Sequence, residues 1–116
     1  MKNGYTFARF EKTLFVRVYG LANLKNAPVL SAFLANEIKD GVVGVYIDLS
    51  ECRGMDSTFM GTLVGTSNKL EISDGGLVIA NPTDHTVRLL DMLGVSTGIS
   101  VRIAFCVPQS GLVPLG

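Results

Sequence analysis

The sequence has no tryptophan, only two cysteines and no excess charge of either sign. Ten basic residues balance ten acidic ones and neither sign forms a run, so the electrostatic footprint of a nucleic-acid-binding or membrane-surface protein is missing. Cys52 and Cys106 stand far apart, without a CxxC motif or a nearby histidine, which argues against zinc and favours reduced thiols. We therefore expect no direct contact with nucleic acid and no bound metal.

Long apolar runs are also missing. The first residues, MKNGYTFARFEK, lack the apolar core of a signal peptide, and no segment approaches the roughly 20 apolar residues of a membrane span. Neither phosphate-loop motif, GxxxxGK[ST] or GxGxxG, occurs, and the only histidine, His85, has no serine or cysteine partner in sequence reach. These absences predict a cytoplasmic protein that is not inserted in a membrane, has no cofactor and is not an enzyme, with His85 as a surface residue.

The composition that remains is that of one folded domain. The chain has 116 residues, of which 47% are apolar and 17% charged, enough to bury a core without disulfides. We place the domain at residues 1–108 and expect a short C-terminal tail, residues 109–116, with little to pack against. Apolar surface left over by such a composition is available to a partner, or to a second copy in a homodimer.

The period of the apolar pattern alternates between that of a strand and that of a helix. The predicted strands are 5–10, 14–19, 42–47, 77–80 and 101–105, and the predicted helices begin near Asn26, Ser57 and Asn81. The first two strands are close enough to form an antiparallel hairpin, whereas each strand–helix–strand unit places its strands parallel. The sequence therefore predicts an α/β fold in a single domain, with a mixed β-sheet, amphipathic helices and the order β-β-α-β-α-β-α-β.

Two polar positions lie beside these elements, and only the first of them, Asp48, is a candidate for a role in the site. Asp48 follows the apolar central strand, and the carboxyl ends of strands are where ligands gather in open α/β sheets. It could equally bind the backbone of the following loop. Asn81, with Pro82 and Asp84 after it, has the sequence of a helix N-cap and first turn.

The segment VYIDLSECRGMDSTFMGTL, residues 45–63, resembles the STAS domain family, which includes bacterial anti-sigma factor antagonists and the cytoplasmic tails of sulfate transporters. The resemblance rests on an apolar strand that closes in Asp-Leu-Ser, followed by Met-Asp-Ser-Thr at the start of a helix. It extends over nearly the whole chain, from the early Gly20 to the final helix ending in Leu-Gly-Val. The motif and the predicted order of strands and helices both agree with this family.

By its position alone, Ser57 could be a structural N-cap or first-turn residue of the second helix. The resemblance implies instead a regulatory role for the start of this helix. In antagonist members, an anti-sigma factor that is also a serine kinase phosphorylates the serine after the aspartate, which here is Ser57 after Asp56. The unphosphorylated antagonist binds that anti-sigma factor, phosphorylation ends the binding, and a serine phosphatase restores it. The strand-end aspartate near the phosphoacceptor corresponds to Asp48. Antagonists often continue with a small residue and glycine, whereas this chain has Thr58 and Phe59, so Thr58 is an alternative phosphoacceptor.

The second helix presents two faces next to Ser57. Phe59, Leu63 and Leu70 have the spacing of a core stripe. Met60, Gly61 and Val64, with the small residues that follow, are predicted to form a partner-binding surface. The alternative is that these small residues let the helix approach a neighbour within its own fold.

The sequence supports three classes of function. The leading one is an anti-sigma factor antagonist whose binding state depends on Ser57. The second is a STAS scaffold subunit of a sensory or membrane-transport-associated complex, in which the domain is permanently docked. The third, with less support, is a small-ligand sensor that uses a crevice at the strand ends.

Overall fold

The elements were located in a computed structural model, which describes residues 3–92, 99–102 and 112–115. The helices are α1 (Ala27–Lys39), α2 (Ser57–Ile72) and α3 (Asp84–Met92). The strands are β1 (Gly4–Phe10), β2 (Thr13–Ala22), β3 (Gly44–Met55), β4 (Gly76–Ala80), β5 (Ile99–Arg102) and β6 (Val113–Pro114). The predicted single-domain α/β fold is confirmed, and its element order is extended by β6.

The sheet is mixed, as the sequence predicts. Its strand order is β5-β4-β3-β2-β1-β6, in which β2, β3, β4 and β5 run parallel and β1 is antiparallel to both of its neighbours. Right-handed crossovers from β2 to β3 and from β3 to β4 carry α1 and α2 to the same face of the sheet. The hydrophobic core lies between that face and the helices, and α3 packs beside α2 and against β3.

The core is built from alternate residues of the central strands and from one stripe of each helix. Leu14, Val16 and Val18 of β2 are buried, as are Leu30 and Leu34 of α1. The predicted stripe of α2, which consists of Phe59, Leu63 and Leu70, is fully buried. Burial of these side chains, at about 25 cal/mol per Å² of apolar surface, is what holds α2 and therefore its N-terminus in place.

The two central strands are longer than their apolar patterns indicate. β2 continues through Gly20 to Ala22, and β3 continues through Asp48 to Met55, so Asp48 is not at the end of its strand. The pattern misses this extension because Ser50, Glu51 and Arg53 are exposed polar residues of a paired strand. The pairing is irregular here, and it bends at Gly20, whose φ of 72° favours glycine.

The start of the third helix differs from the prediction. α3 begins at Asp84, and its N-cap is Thr83, whose Oγ1 accepts a hydrogen bond from Thr86 N at 3.2 Å. Asn81 has a left-handed backbone, with φ of 54°, and its side-chain amide donates to Asp48 instead. The prediction of Asn81 as the cap is therefore wrong, because its side chain is used within the fold. Leu93 and Gly94, expected at the helix end, lie outside the described residues.

The end of the chain pairs with the first strand. Val113 and Pro114 lie opposite Phe7 and Thr6 of β1, and Leu115 N donates to Tyr5 O at 3.0 Å. Leu115 also packs against the core, so this part of the tail has more to pack against than expected. β5 begins two residues before the predicted strand and lies at an edge of the sheet, whereas residues 103–105 are outside the described part. The boundary at residue 108 stays a prediction.

Candidate functional site

The N-terminus of α2 is fixed by one carboxylate. Asp56 is the N-cap, with an extended backbone, and its Oδ1 accepts a hydrogen bond from Phe59 N at 2.8 Å. Its Oδ2 accepts a second hydrogen bond from Leu24 N at 3.0 Å, in the loop between β2 and α1. Both carboxylate oxygens of Asp56 are therefore occupied, and together they tie the β2–α1 loop to the start of α2.

Ser57 and Thr58 are the first two residues of α2, and both are exposed. Neither hydroxyl forms a hydrogen bond with any residue that the structure describes. The first backbone N–H groups of a helix have no partner within the helix, so they point toward the same solvent as these hydroxyls. This arrangement gives a kinase access to the hydroxyl group and gives a phosphate nearby hydrogen-bond donors.

The surface around Ser57 is assembled from three segments. The β2–α1 loop contributes Leu24, which is 64% exposed, and the end of β2 contributes Leu21, which is 48% exposed. The start of α3 contributes His85, whose Nε2 lies 3.2 Å from Met55 O just before α2. Between the loop and the end of β3 lies a cavity of about 230 Å³ lined by Leu21, Ala22, Asn23, Gly54, Met55 and Asp56. Exposed apolar side chains and a shallow cavity thus adjoin the hydroxyls.

The predicted partner surface on α2 is only partly exposed. Met60 is fully buried in the core, so its assignment to that surface is wrong. The error arises because Phe59 and Met60 both point inward, which makes the buried stripe of α2 wider than the pattern of Phe59, Leu63 and Leu70 indicates. Gly61 is exposed and Val64 is half-buried.

The exposed glycines of α2 distinguish the two readings of its small residues. A Cβ atom built on Gly61 or Gly65 would meet nothing within 4 Å among the described residues. These glycines therefore do not serve to bring α2 close to a neighbour in its own fold. They leave a strip of bare helix backbone that starts next to Ser57.

Asp48, the other predicted site residue, lies in the interior. Its side chain is 1% exposed and forms an ion pair with Arg17, with 2.7 Å between Nε and Oδ2. Asn81 Nδ2 donates to Oδ1 at 2.9 Å, and the backbone N and hydroxyl of Ser50 each donate at 3.0 Å. The carboxylate is thus bound by residues from β2, β3 and the segment after β4.

This network sets the charge state of Asp48. Burial by itself would raise the pKa of the Asp48 carboxyl, but the hydrogen bonds from Asn81, Arg17 and Ser50 outweigh burial and lower that pKa. The carboxylate is therefore ionised at neutral pH and holds three elements together.

The structure does not bring Asp48 and Ser57 together. Asp48 pairs with Arg17 in the sheet, whereas Met55, just before α2, pairs with Ala22. Arg17 and Ala22 are five residues apart, which is about 16 Å along a strand. Asp56 is thus the aspartate beside Ser57, and Asp48 stabilises the sheet behind it.

Sequence reasoning missed several residues of this region, and only Arg17 carries a signal that could have revealed it. Arg17 is a charged residue inside an apolar strand, and a charge at such a position indicates a buried partner of opposite charge. Leu21 and Leu24 are ordinary leucines by sequence, and only the turn of the β2–α1 loop toward Asp56 exposes them beside Ser57. Leu24 donates through its backbone N–H, which nearly every residue type has, so the identity of residue 24 does not reveal this hydrogen bond.

Metal binding and membrane insertion have no support in the described ranges. No group of three or more His, Cys, Asp or Glu side chains there could hold a metal ion. Within the same ranges, no helix has the length and apolar character needed to cross a membrane. His85 is exposed, as the sequence predicts, and its ring contacts only a backbone oxygen among the described hydrogen bonds.

The fold and the site together define a small α/β module with two free hydroxyls at a capped helix start. The STAS domain model matches residues 6–104, and the chain belongs to the STAS domain family. The anti-sigma-B factor antagonist of Staphylococcus aureus is 32% identical over 85 residues, which cover 73% of this chain and 79% of that protein. The protein of the same name from Listeria monocytogenes is 34% identical over 86 residues, covering 73% and 75%.

Solved structures agree with this family in fold. A putative anti-sigma factor antagonist from Thermotoga maritima superposes with a TM-score of 0.77 at 16% identity, covering 84% of this chain and 85% of that one. The Bacillus cell fate determinant SpoIIAA in its phosphorylated form gives a TM-score of 0.71 at 16% identity, covering 84% and 89%. The unphosphorylated SpoIIAA structure gives 0.73 at 14% identity, covering 89% of each chain.

Proposed function

We propose that the protein is an anti-sigma factor antagonist that acts by partner switching. In its unphosphorylated form it binds an anti-sigma factor that is also a serine kinase, and phosphorylation of Ser57 releases it. The observation that carries this proposal is the exposed Ser57, which is the first residue of α2 after the Asp56 cap; Asp56 also adjoins the exposed Leu21 and Leu24. The names of the curated relatives, anti-sigma-B factor antagonists, support the same role.

One feature makes Ser57 the preferred phosphoacceptor, with Thr58 as the alternative. Ser57 directly follows the capping aspartate, which is the position of the phosphorylated serine in the antagonists that this chain resembles. SpoIIAA, a relative in fold, has been solved in phosphorylated and unphosphorylated forms, so a domain of this architecture can carry a phosphate. Both hydroxyls are exposed here, so accessibility alone does not separate them.

The phosphate would act on the interface and leave the helix intact. It adds about −1.5 to −2 charges at pH 7, and the positive end of the α2 dipole and its free N–H groups favour that charge. A partner that covers Leu21, Leu24 and Gly61 would instead have to bury a phosphate beside Asp56. Desolvation of that charge and its repulsion by a carboxylate oppose binding, which makes phosphorylation an off switch.

This role requires protein partners and no chemistry of the chain's own. The partners are the anti-sigma factor with its kinase activity and a serine phosphatase that resets Ser57. Direct nucleic-acid contact is not needed, the protein acts in the cytoplasm, and the antagonist itself is not an enzyme. A docked scaffold subunit is the competing role, and the response to charge at Ser57 separates the two.

The proposal is tested by incubating the purified protein with its cognate anti-sigma kinase and ATP. Mass spectrometry of the peptide that contains Ser57 and Thr58 should find a single phosphate on Ser57, and Ser57→Ala should abolish it while Thr58→Ala should not. The reverse pattern would move the phosphoacceptor to Thr58. No phosphate on either residue would contradict the switch.

A binding measurement completes the test. Titration calorimetry should find that Ser57→Asp binds the anti-sigma factor at least about 100-fold more weakly than the wild type, a loss of about 2.7 kcal/mol. Asn36→Asp, which adds the same charge at an exposed position of α1, serves as the matched control and should bind nearly as well. Unchanged binding by Ser57→Asp within a stable complex would favour the scaffold.

A further inference from the structure

A second concave surface lies at the end of the sheet opposite Ser57. It is a cavity of about 460 Å³ lined by Phe10, Glu11, Thr13, Phe15 and Tyr46, which we call the hairpin pocket. Thr13 begins β2, whereas Ala22, the partner of Met55, ends it. Nine residue steps of strand, or roughly 30 Å, separate these ends. The hairpin pocket is therefore distinct from the surface around Ser57.

Three aromatic rings form the apolar part of the hairpin pocket. Phe15 and Tyr46, on adjacent strands, stack with ring centroids 5.0 Å apart and an interplanar angle of 21°. Phe10 meets Phe15 edge-on, at 5.9 Å and 75°, and is 56% exposed. The faces of such rings carry partial negative charge, which attracts cations. An open cluster of three rings thus offers an electron-rich surface to solvent.

A carboxylate completes the lining. Glu11 is exposed at the turn of the β1–β2 hairpin, with φ of 56°, a backbone conformation that glycine or asparagine adopts at lower cost. None of the five lining residues is basic. The nearby Arg9 donates from Nε to the backbone O of Glu11 at 2.9 Å, but its charge is paired with other carboxylates, because its Nη1 lies 2.9 Å from Asp40 Oδ2 and 3.7 Å from Glu37 Oε1. The negative charge of the hairpin pocket therefore has no counter-charge among its lining residues.

We propose that the hairpin pocket binds the side chain of an arginine presented by a second protein partner. A guanidinium group is planar and stacks on aromatic rings, and its paired N–H groups match a carboxylate such as that of Glu11. A lysine ammonium group forms the ion pair but cannot stack, and a neutral side chain gains nothing from Glu11. The combination of stacked rings with one carboxylate fits arginine best.

The location of the hairpin pocket has a consequence for assembly. A partner anchored there would leave Leu24, Ser57 and Gly61 uncovered, so the protein could hold two partners at once. Binding at the hairpin pocket would also be independent of the charge on Ser57. This proposal therefore goes beyond partner switching and does not depend on it.

The test uses the peptide acetyl-Gly-Arg-Gly-amide as a probe, in an NMR titration of the isotopically labelled protein. The ring signals of Phe10, Phe15 and Tyr46 should shift saturably, with a Kd in the millimolar range expected of one stacked ion pair. The citrulline peptide, which has the same shape without the charge, should bind about tenfold more weakly, and the lysine peptide should also bind more weakly.

Two matched variants locate the effect. Glu11→Gln should weaken binding of the arginine peptide about as much as the replacement of arginine by citrulline does. Glu51→Gln, at an exposed glutamate remote from the hairpin pocket, should leave binding of the arginine peptide unchanged. Ser57→Asp should also leave it unchanged. The absence of saturable shifts up to ~50 mM peptide, or equal binding of the citrulline or lysine peptide, would overturn the proposal.

Discussion

Asp48 and Asp56 are eight residues apart, and the fold gives them opposite tasks. Asp48 is buried in β3, where its carboxylate binds Arg17, Ser50 and Asn81. Asp56 lies at the surface, where its carboxylate caps α2 and holds the β2–α1 loop. Burial and hydrogen-bond partners therefore decide what each carboxylate does: Asp48 organises the sheet, and Asp56 organises the surface at the start of α2.

Removal of the interior carboxylate should have the largest effect on stability. Asp48→Ala leaves Arg17, whose side chain is 10% exposed, buried without its ion-pair partner. We expect a loss of about 3–5 kcal/mol in the free energy of unfolding, measured by urea denaturation. Ser50→Ala, which removes the hydroxyl hydrogen bond to the same carboxylate, is the control and should cost about 1 kcal/mol. A loss below about 1 kcal/mol for Asp48→Ala would contradict this role.

Acid should weaken the interior network by a smaller amount, because protonated Asp48 retains some of its hydrogen bonds. The pKa of the Asp48 carboxyl is held below its ordinary value of 3.8, so its ionised form stabilises the folded state above pH 3.8. That contribution is lost as the pH falls below 3.8 toward the folded-state pKa. Urea denaturation between pH 5 and pH 2.5 should show a shallower loss for Asp48→Asn than for the wild type; equal slopes would show that Asp48 does not contribute.

The surface carboxylate should matter less for stability. Asp56→Ala removes the cap of α2 and the acceptor of Leu24 N, and we expect a loss of about 1–2 kcal/mol in the free energy of unfolding. Asp56→Asn keeps an acceptor for Phe59 N but loses one oxygen, so it should restore most of the stability. If the β2–α1 loop is part of the interface, Asp56→Asn should still weaken binding of the anti-sigma factor. Full recovery of both properties would show that the tie to Leu24 is unimportant.

Gly61→Ala should have the smallest effect, and it should raise the stability of the fold while it weakens binding of the partner. Gly61→Ala adds a Cβ that meets nothing within 4 Å among the described residues, in a helix interior where alanine is favoured over glycine. Urea denaturation should find a gain of about 0.5–1 kcal/mol. A partner helix that approaches the bare backbone would be pushed away, so binding should weaken. A gain in stability with unchanged binding would exclude Gly61 from the interface.

The sequence predicted the elements better than it predicted the contacts of polar residues. The start of α2 and the buried stripe of Phe59, Leu63 and Leu70 followed from the sequence pattern, because the spacing of apolar residues reflects which side chains the core buries. The assignment of Met60 to the exposed partner surface was wrong because the buried face of α2 is wide enough to include it. Asp48 was misplaced because the strand pairing that buries it extends beyond the apolar run.

The interior network could not have been read from local sequence. Arg17 and Asn81 lie 31 and 33 residues from Asp48, and only the register of β2 against β3 and the left-handed turn after β4 bring them together. By contrast, the cap of α2 joins residues only three positions apart, Asp56 and Phe59, and sequence position alone suggested a cap one residue away, at Ser57. Local contacts are predictable from motifs, whereas contacts between strands require the topology.

The most direct test compares the phosphorylated and unphosphorylated protein in two measurements on the same samples. Affinity for the anti-sigma factor should fall at least about 100-fold on phosphorylation of Ser57, while the midpoint of thermal unfolding should change by only a few degrees, since a phosphate at a helix N-terminus is tolerated. Equal affinity of the two forms, or unfolding of the domain on phosphorylation, would contradict a surface switch at Ser57.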